Sequence, residues 1–259
     1  MKPTIAQVVD ELLEAERTRQ PILPITERFG DLDVEDAYQI QLEVVKRKLQ
    51  DGRTVIGKKV GLTSVAMQRM LGVDEPDYGH LLDDMRYEHG SSVPVDQFLL
   101  PKVEAEIGFV LKEDLVGPNV TYLDVLMATE YVVPTLELID SRIADWKIKL
   151  IDTVADNGSS ARVVVGERLS TLDNLDLRTV GITLYKNGEL VGTGAGAAAW
   201  GHPAHAIAWL ANKLHHYGIT LKAGELILPG ALSAAIPVGA GDTVTAHFGS
   251  LGAVSVTFA

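Results

Sequence analysis

The stretch PKVEAEIGFVL, residues 101–111, is where the fold and the chemistry of this chain are first legible. Val103, Ala105, Ile107 and Phe109 share one parity; Glu104, Glu106 and Gly108 share the other. This alternation predicts a β-strand, on which side chains two apart point to the same face. Glu104 and Glu106 then stand together, their Cα atoms roughly 7 Å apart. Carboxylates that close repel each other unless a cation lies between them. Gly108, on the same face, is expected to leave space beside them. The plain alternative is a solvated polar strand face.

A second stretch, TLELID at residues 135–140, adds a third carboxylate. Glu137 is flanked by Leu136 and Leu138, and a charge in apolar company normally has a partner. Glu104, Glu106 and Glu137 would form an all-oxygen ligand set, which suits Mg²⁺ or Mn²⁺ and disfavours zinc. Lys58 and Lys59 precede an apolar Val-Gly-Leu run. One of them could serve as a fixed positive charge for an enolate or carboxylate; the other is expected at the surface. Asp77, in the turn-rich DEPDYG, is a base or a turn former. The run IDTVADNGSS, residues 151–160, supplies donors to an anion or forms an Asx turn.

Helices lead the chain. Val8, Val9, Leu12, Leu13 and Ala15 give a helical stripe, Pro21 and Pro24 interrupt, and Asp33 caps a second helix that Gly52 stops. Beyond Gly52, short strands alternate with Gly, Pro and Asp. Thr121 and Asp124 form a capping-box pattern for a helix to about Ala128. Asn187-Gly188 predicts a type I′ hairpin, and Pro203 opens a helix. The expected class is α+β: an N-terminal helical region, residues 1–60, and a β-rich catalytic domain of mixed sheet, residues 61–259.

Of the 259 residues none is cysteine, which removes disulfides, thiolate metal sites and a cysteine nucleophile. The net charge of −12 argues against a nucleic-acid surface. No apolar run approaches the roughly 18 residues of a membrane span. Asp10, Glu11, Glu14 and Glu16 interrupt any signal-peptide core, so a cytoplasmic protein is expected. GTGAGAAAW, residues 192–200, lacks the dinucleotide fingerprint, there is no P-loop, and the seven histidines show no HExxH.

Several long, irregular stretches together resemble the hydratase/decarboxylase branch of the fumarylacetoacetate hydrolase superfamily. They are residues 57–85 (GKKVGLTS…EPDYGHLLDDM), 101–111, 137–160, 175–198 and 201–214. The resemblance implies a fumarylacetoacetate hydrolase-like fold and a divalent metal, Mg²⁺ or Mn²⁺, on Glu104, Glu106 and Glu137. It places the active-site lysine at Lys59 rather than Lys58, with catalytic Asp77 and substrate-binding Ser160. Lys58, Gly158, Trp200 and His205 depart from the pattern of relatives. The implied reaction is hydration of 2-hydroxypenta-2,4-dienoate to 4-hydroxy-2-oxopentanoate in aromatic meta-cleavage catabolism. Its rivals are 2-oxo-3-hexenedioate (4-oxalocrotonate) decarboxylation, hydration of a seven-carbon dicarboxylate, and a non-catalytic subunit of such a complex. The resemblance also implies a homo-oligomer, with possible association with a pathway decarboxylase or aldolase.

Overall fold

Local signals set the first helices. α1 (Pro3–Thr18) ends as Arg19 turns left-handed ahead of Pro21, and the short α2 (Ile25–Arg28) follows Pro24. α3 (Val34–Gln50) starts at Asp33, whose carboxylate accepts from the Asp36 N–H while Asp36 accepts from the Asp33 N–H. Val8, Val9, Leu12 and Ala15 of α1 are buried, as their spacing predicts. The computed structural model describes residues 2–64, 68, 73 and 75–259; the motif residues between 65 and 74 lie largely outside the described residues.

The strands and later helices run in order: β1 (Val55–Gly61), β2 (Asp77–Leu82), β3 (Arg86–Glu88), β4 (Ser92–Val93), β5 (Lys102–Leu111), α4 (Tyr122–Ala128), β6 (Thr129–Ile139), α5 (Leu150–Ala155), β7 (Ser160–Val165), β8 (Gly181–Lys186), β9 (Glu189–Ala195), α6 (Pro203–His215), β10 (Leu226–Leu228), β11 (Ile236–Pro237), β12 (Thr243–His247) and β13 (Ala253–Phe258). Thr121 caps α4 by the expected box, and His202 Nδ1 accepts from the Ala204 N–H at the start of α6. Asn187 and Gly188 both take positive φ, 55° and 84°, in the hairpin joining β8 and β9.

Two mixed sheets result. One orders its strands β2-β1-β10-β5-β6-β7-β3, with β11 also on β5; the other runs β4-β13-β12-β8-β9. β2 approaches β7 although four strands separate them in the first sheet, so that sheet is rolled. Parity along β5 divides the interior. Val103, Ala105, Ile107 and Phe109 face the main core shared with the helices and the second sheet. The opposite parity lines the inside of the roll, filled towards one end by Leu81, Val133, Val163, Val165, Leu226 and Leu228. The expected division at residue 60 falls within β1, which pairs with β10 on one side and β2 on the other.

Candidate metal centre

β5 and β6 pair antiparallel with Glu104 directly opposite Glu137. That register, together with the i, i+2 spacing, brings all three carboxylates to one place inside the roll. Oxygen atoms from Glu104, Glu106 and Glu137 lie within 4.8 Å of one another. Glu106 and Glu137 are fully buried and Glu104 is half-buried. Glu106 Oε2 accepts from the Gly230 N–H at 2.7 Å, whereas Glu106 Oε1 and both oxygens of Glu137 have no hydrogen-bond partner. Buried carboxylate oxygens without partners are costly, and a hard cation among them removes that cost, so the donor set fits Mg²⁺ or Mn²⁺.

The electrostatics agree with the geometry. Burial, then repulsion from Glu137, pushes Glu104 up to about 7 against the attraction of Lys59. Burial, then Glu137 and Glu104, pushes Glu106 well above the usual carboxylate range, although the Gly230 N–H opposes it. Glu137 is raised by burial, with the Lys59 ammonium pulling the other way. These groups resist carrying three negative charges together unless further positive charge is supplied.

Lys59 stands on the same inner face. Its Nζ lies 3.6 Å from Glu137 Oε1 and donates to the Gly158 carbonyl at 2.8 Å. Burial works against its charge, but Glu137, Asp77, Glu104 and Glu106 outweigh that and hold its pKa above the ordinary lysine value. Asp77 joins from β2: Oδ2 accepts from the Thr153 hydroxyl at 3.1 Å, and the buried Oδ1 has no partner. A Cβ on Gly61 would sit 2.1 Å from Asp77 Oδ1 and 3.1 Å from Lys59 Nζ, so glycine is required at the end of β1 beside them. Ser160 opens β7, with its buried hydroxyl beside the Glu137 carboxylate. The structure thus brings together all six residues singled out from the sequence.

Two local expectations are corrected. Neither lysine is at the surface: Lys58 points to the opposite face of β1, buried, with Nζ 2.6 Å from Glu225 Oε1. Gly108 leaves no open space either; a Cβ there would lie 2.8 Å from both Leu226 Cδ1 and Thr135 Cγ2, so the glycine admits neighbouring side chains.

Sequence reasoning missed the frame that holds the 156–160 turn. Arg142, fully buried, donates to Asp156 through its backbone N–H and guanidinium and reaches the Asp156 and Ser160 carbonyls. Burial raises Asp156 to about 6 despite that partner. Nothing local links residues 14 apart in this way, so no sequence spacing announces the pair. A separate cleft of about 440 Å³, bordered by Arg17, Lys48, Arg142 and Arg162, meets the centre only at Ser160.

A rolled mixed sheet thus holds three convergent carboxylates, two of them fully buried, beside a lysine. The family model described as fumarylacetoacetate (FAA) hydrolase C-terminal matches residues 55–259. The chain belongs to the fumarylacetoacetate hydrolase family. It is 47% identical over 252 residues to the 2-keto-4-pentenoate hydratase of Paraburkholderia xenovorans (strain LB400), covering 97% of this chain and 94% of that protein. It is 51% identical over 219 residues to a 2-hydroxypent-2,4-dienoate hydratase of Pseudomonas putida, covering 84% of this chain and 99% of that one. The solved 4-oxalocrotonate decarboxylase from Pseudomonas putida G7, complexed with magnesium and adipate, superposes with a TM-score of 0.97 at 40% identity, covering 100% of this chain and 98% of that one.

Proposed function

We propose that this enzyme is a divalent-metal-dependent hydratase that converts 2-hydroxypenta-2,4-dienoate and water into 4-hydroxy-2-oxopentanoate. The observation that carries this reading is the set of buried carboxylate oxygens on Glu106 and Glu137 that accept no hydrogen bond, with the Lys59 ammonium 3.6 Å from Glu137 Oε1. Similarity to hydratases of 2-keto-4-pentenoate and 2-hydroxypent-2,4-dienoate supports the substrate. Glu104, Glu106 and Glu137 would hold Mg²⁺ or Mn²⁺, which supplies Lewis-acid polarisation of a 2-oxo acid's oxygens.

The chain's own groups account for the rest. The dienol loses its hydroxyl proton and gains one at C5, giving the 3-enoate ketone. Water then adds oxygen at C4 and hydrogen at C3. Lys59 presents a fixed positive charge to the enolate oxygen that forms as water attacks. Asp77, oriented by Thr153 and with Oδ1 free, takes the proton from water and returns it to carbon. The Ser160 hydroxyl donates to the substrate carboxylate. The test is ultraviolet loss of the dienoate with Mg²⁺ and in chelator: metal-dependent decay to the hydroxy-oxo acid supports the reading, and equal decay in exhaustive chelator contradicts it.

Likeness to the magnesium- and adipate-bound decarboxylase favours one second reading, decarboxylation of 2-oxo-3-hexenedioate. Release of CO₂ from that dicarboxylate in preference to hydration of the five-carbon dienoate would favour it. A non-catalytic role beside a pathway decarboxylase or aldolase predicts metal binding without turnover of either acid. We further propose a cytoplasmic homo-oligomer. Among the described residues no helix is long and apolar enough to cross a membrane.

A further inference from the structure

The turn between α5 and β7 is built in an unusual conformation. Asn157, Gly158 and Ser159 are three consecutive residues at positive φ: 55°, 60° and 55°. For the two residues that carry a Cβ this is a disfavoured region, and such strain persists only where the surroundings over-determine it. Here they do so from both sides. On one side Arg142 grips Asp156 and the Ser160 carbonyl, and the Asp140 N–H donates to the Ser159 carbonyl at 2.9 Å. On the other, Asn157 makes a paired clamp on the backbone of β2. Its Oδ1 accepts from the His80 N–H at 2.8 Å, and its Nδ2 donates to the His80 carbonyl at 2.9 Å. Gly79 permits the approach, because a Cβ there would lie 2.2 Å from the Asn157 carbonyl oxygen.

The left-handed turn has one visible consequence at the centre. It aims the Gly158 carbonyl at Lys59, which donates to it at 2.8 Å while remaining 3.6 Å from Glu137. An unstrained right-handed turn would carry that carbonyl elsewhere and leave a long, flexible side chain without its anchor. Asparagine suits the task twice over, tolerating left-handed φ and offering an acceptor and a donor to one peptide unit.

We infer that Asn157 is a positioning residue that acts through Lys59: its clamp on His80 locks the 157–159 turn and so fixes where the ammonium points. This rests on the hydratase reading above. It makes no claim on the carboxylates, which come from β5 and β6.

A double-mutant cycle on the full-length protein tests it. Asn157→Ala is expected to lower kcat by about tenfold or more with KM changed less, and to lose that effect in the Lys59→Ala background, where about a twofold change or smaller remains. Asn157→Asp keeps the acceptor for the His80 N–H and recovers part of the loss; Asn157→Gly, which relieves only the backbone, does not. Mg²⁺ affinity by calorimetry stays within about threefold across the Asn157 series. Where Lys59→Ala turns over too slowly to follow, the same cycle is read from the binding of 2-oxopentanoate, an unreactive 2-oxo acid, in the presence of Mg²⁺. An equal fold-loss from Asn157→Ala in both backgrounds overturns the inference, because the residue then acts only on the fold. Recovery by glycine equal to that by aspartate overturns the clamp. Full turnover by Lys59→Ala removes the functional reading, and the inference with it.

Discussion

Replacing Glu104 by glutamine should stabilise the metal-free protein and abolish its stabilisation by metal. Glu104 is held at about 7 in the folded chain, against 4.5 for an unperturbed glutamate. At 1.36 kcal/mol for each pH unit, the ionised, metal-free fold carries a penalty of about 3 kcal/mol at pH 9. The sign follows from proton counting. Between 4.5 and 7 the folded state binds more protons at this site than the unfolded state, so stability falls as pH rises through that window. At pH 5 the penalty shrinks below about 1 kcal/mol. Chemical denaturation in chelator at pH 9 should therefore find Glu104→Gln more stable than wild type by up to about 3 kcal/mol, with the difference largely gone at pH 5. The amide is neutral, so its partly buried position costs it far less than it costs a carboxylate. With Mg²⁺ at a hundred times its dissociation constant, wild type gains about 2.7 kcal/mol and the variant gains little or nothing. A variant that is less stable in chelator at pH 9, or that is still stabilised by Mg²⁺ like wild type, would refute the reasoning.

Other consequences concern the neighbours of the carboxylates. Lys59→Ala should lower kcat by about a hundredfold or more, as expected for a lost charge at the reacting centre, whereas Lys58→Met should leave kcat within a few-fold and mainly reduce stability. Steady-state kinetics on both variants checks this, and equal kcat effects would show the wrong lysine was chosen. Gly61→Ala places a methyl 2.1 Å from Asp77 Oδ1, so turnover should drop steeply while circular dichroism stays native. Arg142→Leu leaves Asp156 buried without its cation, and urea unfolding at neutral pH should show a loss of about 3–5 kcal/mol.

Much of the centre was legible because strand parity is a local rule. Alternation over residues 101–111 put Glu104 and Glu106 on one face, and the leucines around Glu137 marked a buried charge in need of a partner. The N-cap at Asp33, the capping box at Thr121 and the Asn187-Gly188 turn were equally local, and each holds. What escaped depends on contacts distant in sequence. The register that sets Glu104 opposite Glu137, the closure of β2 towards β7, and the Lys58–Glu225 pair across 167 residues leave no spacing to read. One of the two adjacent lysines is expected at the surface because lysine usually is there; burial of Lys58 on the outer face of β1 required a carboxylate that sequence proximity could not supply. Asn157-Gly158 is the exception, since the same dipeptide read as a turn at residues 187–188 recurs there and could have flagged the left-handed segment.

The claim on which the chemistry depends is that Glu104, Glu106 and Glu137 share one divalent ion. Anomalous diffraction from crystals grown with Mn²⁺ addresses it directly. A single strong peak bonded to an oxygen from each of the three carboxylates is expected; no peak there, or a lysine ammonium occupying the space between them, would contradict a shared ion.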